Sequence, residues 1–89
     1  MLFLVKVRID RQKLTQLARA LQDGSLDRSH LRTTHCLVSD PAVGYALWEA
    51  EDRATFDAVF APHAKYYAEL SEVQEVITPA EAMARLIEH

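Results

Sequence analysis

The order of elements constrains this chain more than any motif in it. Stretches of period-2 alternation and stretches of helical spacing follow one another as strand, helix, strand, strand, helix, strand, then one more short helix. Together they use nearly all of the 89 residues. With 49% hydrophobic residues, only two glycines and three prolines, the chain reads as one ordered domain, 1–89. A domain of this size buries only roughly 60–65% of the surface its unfolded chain exposes. Its apolar content exceeds the needs of one small core, and a homodimer is the simplest use for the excess.

The first strand spans Leu2–Ile9, with Phe3, Val5, Val7 and Ile9 on one face and Leu2, Leu4, Lys6 and Arg8 on the other. Asp10 can cap a helix over Arg11–Gln22, whose Leu14, Leu17, Ala18 and Leu21 share a face, and Gly24 suits its left-handed stop. Ser25–His30 is a polar connection. The second strand is expected at Leu31–Ser39 and the third at Gly44–Ala50, joined by the Asp40-Pro41 turn into an antiparallel hairpin. Asp52 caps a second helix carrying Phe56, Val59 and Phe60. Pro62 is expected to interrupt it, with a new turn starting there. His63, Tyr66, Tyr67 and Leu70 then fall at i, i+3, i+4 and i+7, which predicts one helical face. A fourth strand follows at Glu72–Ile77. Thr78-Pro79-Ala80-Glu81 is a capping box that opens the last helix, with Met83, Leu86 and Ile87 as its apolar stripe. This order is that of the split β-α-β, or ferredoxin-like, module. The fold class is therefore α+β: a four-stranded antiparallel sheet, two main helices on one face, and a C-terminal helix.

Charge and cysteine usage exclude several function classes. The net charge is −3, and the ten Lys and Arg are scattered without a basic stripe, which argues against a nucleic-acid partner. The apolar opening Met1–Val5 is too short for a membrane span and runs at once into Lys6 and Arg8. The single cysteine, Cys36, cannot form an internal disulfide, which suits a reducing cytoplasm.

The opening Met1-Leu2-Phe3-Leu4-Val5-Lys6-Val7 resembles the start of muconolactone-isomerase-like proteins. Val73–Met83, a strand running through Thr78-Pro79 into a final helix, is similar to small uncharacterised bacterial proteins of the same superfamily. Phe60-Ala61-Pro62-His63, placed after Trp48-Glu49, resembles the antibiotic-biosynthesis monooxygenases. Together these resemble the dimeric α/β-barrel superfamily. The resemblance implies protomers paired sheet against sheet and ligand pockets between a sheet and its helices or near the dimer seam. Members include isomerases, cofactor-free oxygenases, heme enzymes and proteins without known activity. No catalytic set carries over residue by residue.

Among the side chains, His63 with Tyr66 and Tyr67 is the leading catalytic cluster. An imidazole moves protons near neutral pH, and a phenol can orient a carbonyl or another phenol. The competing reading is an amphipathic turn whose rings fill a core or a seam. Trp48, flanked by Ala46 and Ala50, is either a pocket wall or core. His35, mid-strand on an expected edge strand, is either a ligand contact or a structural histidine. Cys36 points to the opposite face from His35, so the two cannot form a dyad, and a small buried thiol is expected. No paired ligand spacing calls for a metal, no cofactor is expected, and 89 residues leave little room for heme. His89 is expected to be a mobile chain end. Two functions remain open. One is a homodimeric enzyme, an isomerase or cofactor-free oxygenase, acting on a small apolar or aromatic metabolite through His63. The other is a non-catalytic binding or assembly module.

Overall fold

A computed structural model describes residues 1–88; His89 lies outside the described residues. The elements are β1 (Leu2–Ile9), a single 3-10 turn at Arg11–Lys13, α1 (Leu14–Asp23), β2 (Leu31–Cys36), β3 (Val43–Glu49), α2 (Arg53–Ala64), β4 (Tyr67–Val76) and α3 (Pro79–Glu88). The four strands form one antiparallel sheet in the order β2-β3-β1-β4. This is the ferredoxin-like arrangement expected from the sequence, with β2 on an edge.

Local signals place the element ends. Asp10 accepts from the Gln12 N–H at 3.0 Å and opens the 3-10 turn. Gly24 ends α1 at φ 75°, a left-handed conformation that glycine adopts without a Cβ clash. Asp52 accepts from the Thr55 N–H at 2.7 Å at the start of α2. Thr78 Oγ1 accepts from the Glu81 N–H at 3.2 Å, so α3 begins where the capping sequence placed it.

Pairing registers fix the two sheet faces. Phe3 lies opposite Trp48, Val5 opposite Ala46 and Val7 opposite Gly44, and all face the helices. On the same face, Leu31, Thr34 and Cys36 of β2 lie beside Trp48, Ala46 and Gly44. The other face carries Leu2, Leu4, Lys6 and Arg8 of β1, Tyr45, Leu47 and Glu49 of β3, Thr33 and His35 of β2, and Glu72, Gln74 and Val76 of β4. The main core lies under α2. Phe56, Phe60 and His63, at i, i+4 and i+7, are buried against Phe3, Val5, Val7, Trp48 and Ala50. Among the apolar residues read from the sequence as surplus, Trp48 belongs to this core at 2% exposure, whereas Val38, beyond the end of β2, is 99% exposed. A smaller cluster under α1 holds Ala20, Leu26 and Tyr66, with Leu17 against it. Met83, Leu86 and Ile87 of α3 are exposed.

The expected helical face through His63, Tyr66, Tyr67 and Leu70 does not form. Helix α2 runs through Pro62 and ends at Ala64, and Tyr67 begins β4. Pro62 lies in the last turn, where its missing N–H removes one helical hydrogen bond just before the helix stops. The Tyr66 N–H then donates to the His63 carbonyl at 3.1 Å, turning the chain back toward the sheet. A fourth strand confined to residues 72–77 would leave the end of β1 without a partner along one edge, and buried backbone groups need partners. Instead β4 pairs along all of β1, and the Asp10 N–H donates to the Tyr66 carbonyl at 3.0 Å just beyond. The ten residues of β4 face the eight of β1, and two register shifts absorb the difference.

Candidate functional site

The sequence leaves a gap on the helix face of the sheet. Along β3 the helix-facing residues run Gly44, Ala46, Trp48, from no side chain to the largest. Trp48 fills its end under α2. At the other end, Gly44 and Ala46 offer little to the overlying α1, whose Leu21 is 37% exposed. A cleft of about 170 Å³ remains there. Its floor and walls are apolar, from Val7, Ile9, Leu17, Leu31 and Ala46. Trp48, His63, Tyr67, Cys36, Thr34 and Arg28 bring the polar groups.

His63 is 4% exposed, the one buried polar or charged residue among the described residues. Its ring sits at a near-right angle to Trp48, with centroids 5.0 Å apart, and stacks on Phe60 at 6.1 Å. Its Nε2 lies 2.8 Å from the Asp27 carbonyl oxygen. A carbonyl only accepts, so Nε2 carries the proton, and Nδ1 of the neutral ring keeps its lone pair. The Asp27 carboxylate is engaged elsewhere: it accepts from the Ser29 N–H at 2.9 Å, and Ser29, through its side chain first and then this backbone N–H, holds it below the usual carboxylate range. Tyr67 stacks on Phe60 with centroids 6.0 Å apart. Burial pushes its phenol above the ordinary tyrosine value, and the neighbouring Cys36 adds to the rise. The phenol therefore stays protonated near neutral pH and can donate. Trp48 Nε1 is buried without a hydrogen-bond partner among the described residues.

The structure thus gathers three residues singled out in the sequence, His63, Tyr67 and Trp48, around one cleft. They come from α2, β4 and β3 rather than from one helix. Tyr66 is buried away from the cleft, with Ala20 and Leu26, and Lys65 Nζ lies 5.2 Å from its ring centroid. His35 lies opposite Tyr45 on the face away from the helices, so it and His63 share no pocket. Cys36, expected as a buried thiol, is exposed and lines the cleft, because α1 does not cover the edge strand that carries it. Alternation could have found it: Thr34 and Cys36 share the parity of Gly44 and Ala46 across the hairpin. Arg28, in an irregular connection, gave no sequence signal. Among the described residues no three His, Cys, Asp or Glu side chains converge as metal ligands. No helix among them is long and apolar enough to cross a membrane.

Comparison with solved structures finds the same architecture in a protein of Chloroflexus aurantiacus J-10-fl, provisionally described as an antibiotic biosynthesis monooxygenase. The superposition covers 86% of this chain and 90% of that one, with a TM-score of 0.53 and 16% sequence identity. What the two share is the fold. It is the ferredoxin-like fold that the order of elements predicts. No protein-family model and no curated protein sequence matches the chain.

Proposed function

We propose that this protein binds one small apolar or aromatic ring in the cleft and acts on it by proton transfer through His63, as an isomerase or cofactor-free oxygenase. The observation that carries the reading is the His63–Asp27 contact, which holds the proton on Nε2 and leaves Nδ1 as the basic nitrogen. Tyr67 supplies an O–H donor for a carbonyl or phenol oxygen of the ligand. The size fits one ring: an apolar cavity of about 150 Å³ accepts benzene, and this cleft measures about 170 Å³. Removal of a ring C–H proton gives a carbanion, and removal of a hydroxyl proton gives a phenolate. That anion is reprotonated at another carbon in an isomerisation; in an oxygenation it passes one electron to dioxygen, combines with the superoxide formed to make a C–O bond, and the resulting peroxide takes back the proton from His63.

One observation favours a non-catalytic binding module instead. His63 is as buried as the phenylalanines beside it, and its bond to Asp27 ties the connection after α1 to α2, which is also what a structural histidine would do. Proton exchange separates the two. Cyclopentenone in D2O should exchange its acidic protons faster with the protein than with buffer. His63→Gln, which keeps an N–H for the Asp27 carbonyl, should lower that rate by about 10²-fold or more. Phenol binding with no exchange above buffer leaves the binding module. In the same assay Tyr67→Phe should weaken phenol binding and Tyr66→Phe should not.

We further propose that the protein works as a homodimer paired through the sheet face opposite α1 and α2. Leu2, Leu4, Leu47 and Val76 make its apolar end, with Tyr45 beside them. Its charges are met within the chain: Arg8 pairs with Asp40 at 2.9 Å and Glu69 at 3.3 Å, and Lys6 lies across from Glu72. That leaves a neutral, self-complementary surface for a second copy. Sedimentation at micromolar concentration should give twice the protomer mass. A clean monomer, or a dimer that survives Leu4→Glu, overturns this assembly.

A further inference from the structure

The charge inventory of the cleft is lopsided. The chain has thirteen carboxylates and ten Lys and Arg, yet no Asp or Glu lines the cleft and one arginine does. That arginine, Arg28, forms no ion pair among the described residues, whereas Arg8, Arg32 and Arg53 each hold a carboxylate. The nearest acid in sequence, Asp27, has its carboxylate turned to Ser29 and gives the cleft side only its carbonyl, which His63 occupies. Arg28 is exposed, so its guanidinium stands at the water-facing rim and not in the apolar floor. Thr34, Cys36 and Tyr67 are the other polar side chains around the opening, and none of them is a carboxylate.

We infer that the ligand of this cleft is a ring bearing an anionic group, a carboxylate or phenolate, and that Arg28 is the residue that selects it. The inference rests on the cleft being the binding site, and it adds the charge of the ligand. The ring enters between Leu17, Ile9 and Ala46, and the anion stays at the rim, where a guanidinium offers two parallel N–H groups to two oxygens. The charge is never taken deep into the protein, so desolvation does not cancel the attraction.

The test uses benzoate and benzamide, which share a ring and a planar headgroup and differ in charge. Binding is followed by NMR shifts of the Tyr67 and His63 signals at pH 8. Benzoate should bind about three- to tenfold tighter than benzamide at low salt, and the advantage should shrink as salt is raised. Arg28→Gln should erase the advantage by weakening benzoate more than benzamide, and Arg28→Lys should keep part of it. Equal binding of both probes to the wild-type protein overturns the role of Arg28 and leaves the cleft standing. Loss of both probes together in Arg28→Gln makes Arg28 a structural residue and overturns the selection. If neither probe moves the Tyr67 and His63 signals, the cleft reading fails and this inference falls with it.

Discussion

The two helices lie on the same sheet face and treat it differently. Under α2, rings touch in a continuous series: Phe3 to Phe56 at 4.8 Å, Phe56 to Phe60 at 5.4 Å, Phe60 to Trp48 at 5.7 Å and to Tyr67 at 6.0 Å. Under α1, the sheet presents Gly44 and Ala46, and the helix keeps Leu14 and Leu21 partly in water. Aromatic pairs add about 0.5–1.5 kcal/mol each beyond their buried area. The α2 half is therefore where the domain is held, and the α1 half is where it has room. His63 and Trp48 stand at the junction, anchored in the packed half and lining the open one. A small protein can keep a cleft of this kind only if another part of the same sheet supplies the stability.

Three substitutions test that division. Phe60→Ala removes the ring at the centre of the series and should destabilise by about 3–5 kcal/mol in denaturant unfolding. A loss near 1 kcal/mol would mean that the α2 half is not the anchor. Leu21→Ala, on a side chain that faces the cleft and is already part-exposed, should lose only about 1 kcal/mol. A loss matching that of Phe60→Ala would erase the contrast. Gly44→Ala should stabilise by about 0.5–1 kcal/mol, because a strand-interior glycine is entropically unfavourable. The added Cβ meets Cys36 Sγ, the His35 carbonyl oxygen and Val7 Cγ2 at 3.7 Å, which is ordinary contact. It should also narrow the cleft and weaken phenol binding; destabilisation would show that the α1 half is tighter than its geometry.

The smallest effect is in acid. Asp52 at the start of α2 and Asp23 at the end of α1 are both held below the usual aspartate range, each by backbone hydrogen bonding, to Thr55 and Ser25 respectively. A carboxylate whose folded pKa is depressed contributes its full stabilisation above the unfolded value, near pH 4, and loses it as pH falls through the folded value. Melting temperatures from pH 6 to pH 2 should therefore fall less steeply in Asp52→Ala than in the wild-type protein. Asp23→Ala should flatten the curve less than Asp52→Ala, because its carboxylate serves the loosely packed end of α1. Equal flattening in both variants would show the halves unfolding as equals.

Much of the architecture was legible because its signals are local. Strand alternation in Leu2–Ile9, the Asp52 and Thr78 caps and the left-handed Gly24 each depend on a few neighbouring residues, and each lies where expected. The segment 63–70 misled for a physical reason. Over eight residues the spacing of 3, 4 and 7 crosses the last turn of α2, the connection at Tyr66 and the start of β4, and the length of β1, a distant element, sets where β4 begins. The candidate site shows the same limit. His63, Tyr67 and Trp48 carry chemistry that marks them in any context, so they could be singled out. Arg28 and Cys36 matter because of what α1 leaves uncovered, and that is set by packing across the sheet.

The register shifts in β4 bear on how this protein can change in length. Ser71 and Ala68 are the residues that face no partner in β1. Losing either one dissolves a bulge and leaves every other pair as it was, so Tyr67 keeps its place beside Phe60. Losing a residue from the middle of β1 has no such slack to draw on: side chains beyond the gap exchange faces, and core apolar groups turn outward. The sheet therefore tolerates shortening on its β4 edge and forbids it in its central strand. Relatives of this chain should differ by single-residue gaps near positions 68 and 71, and should align without gaps from Phe3 to Val7.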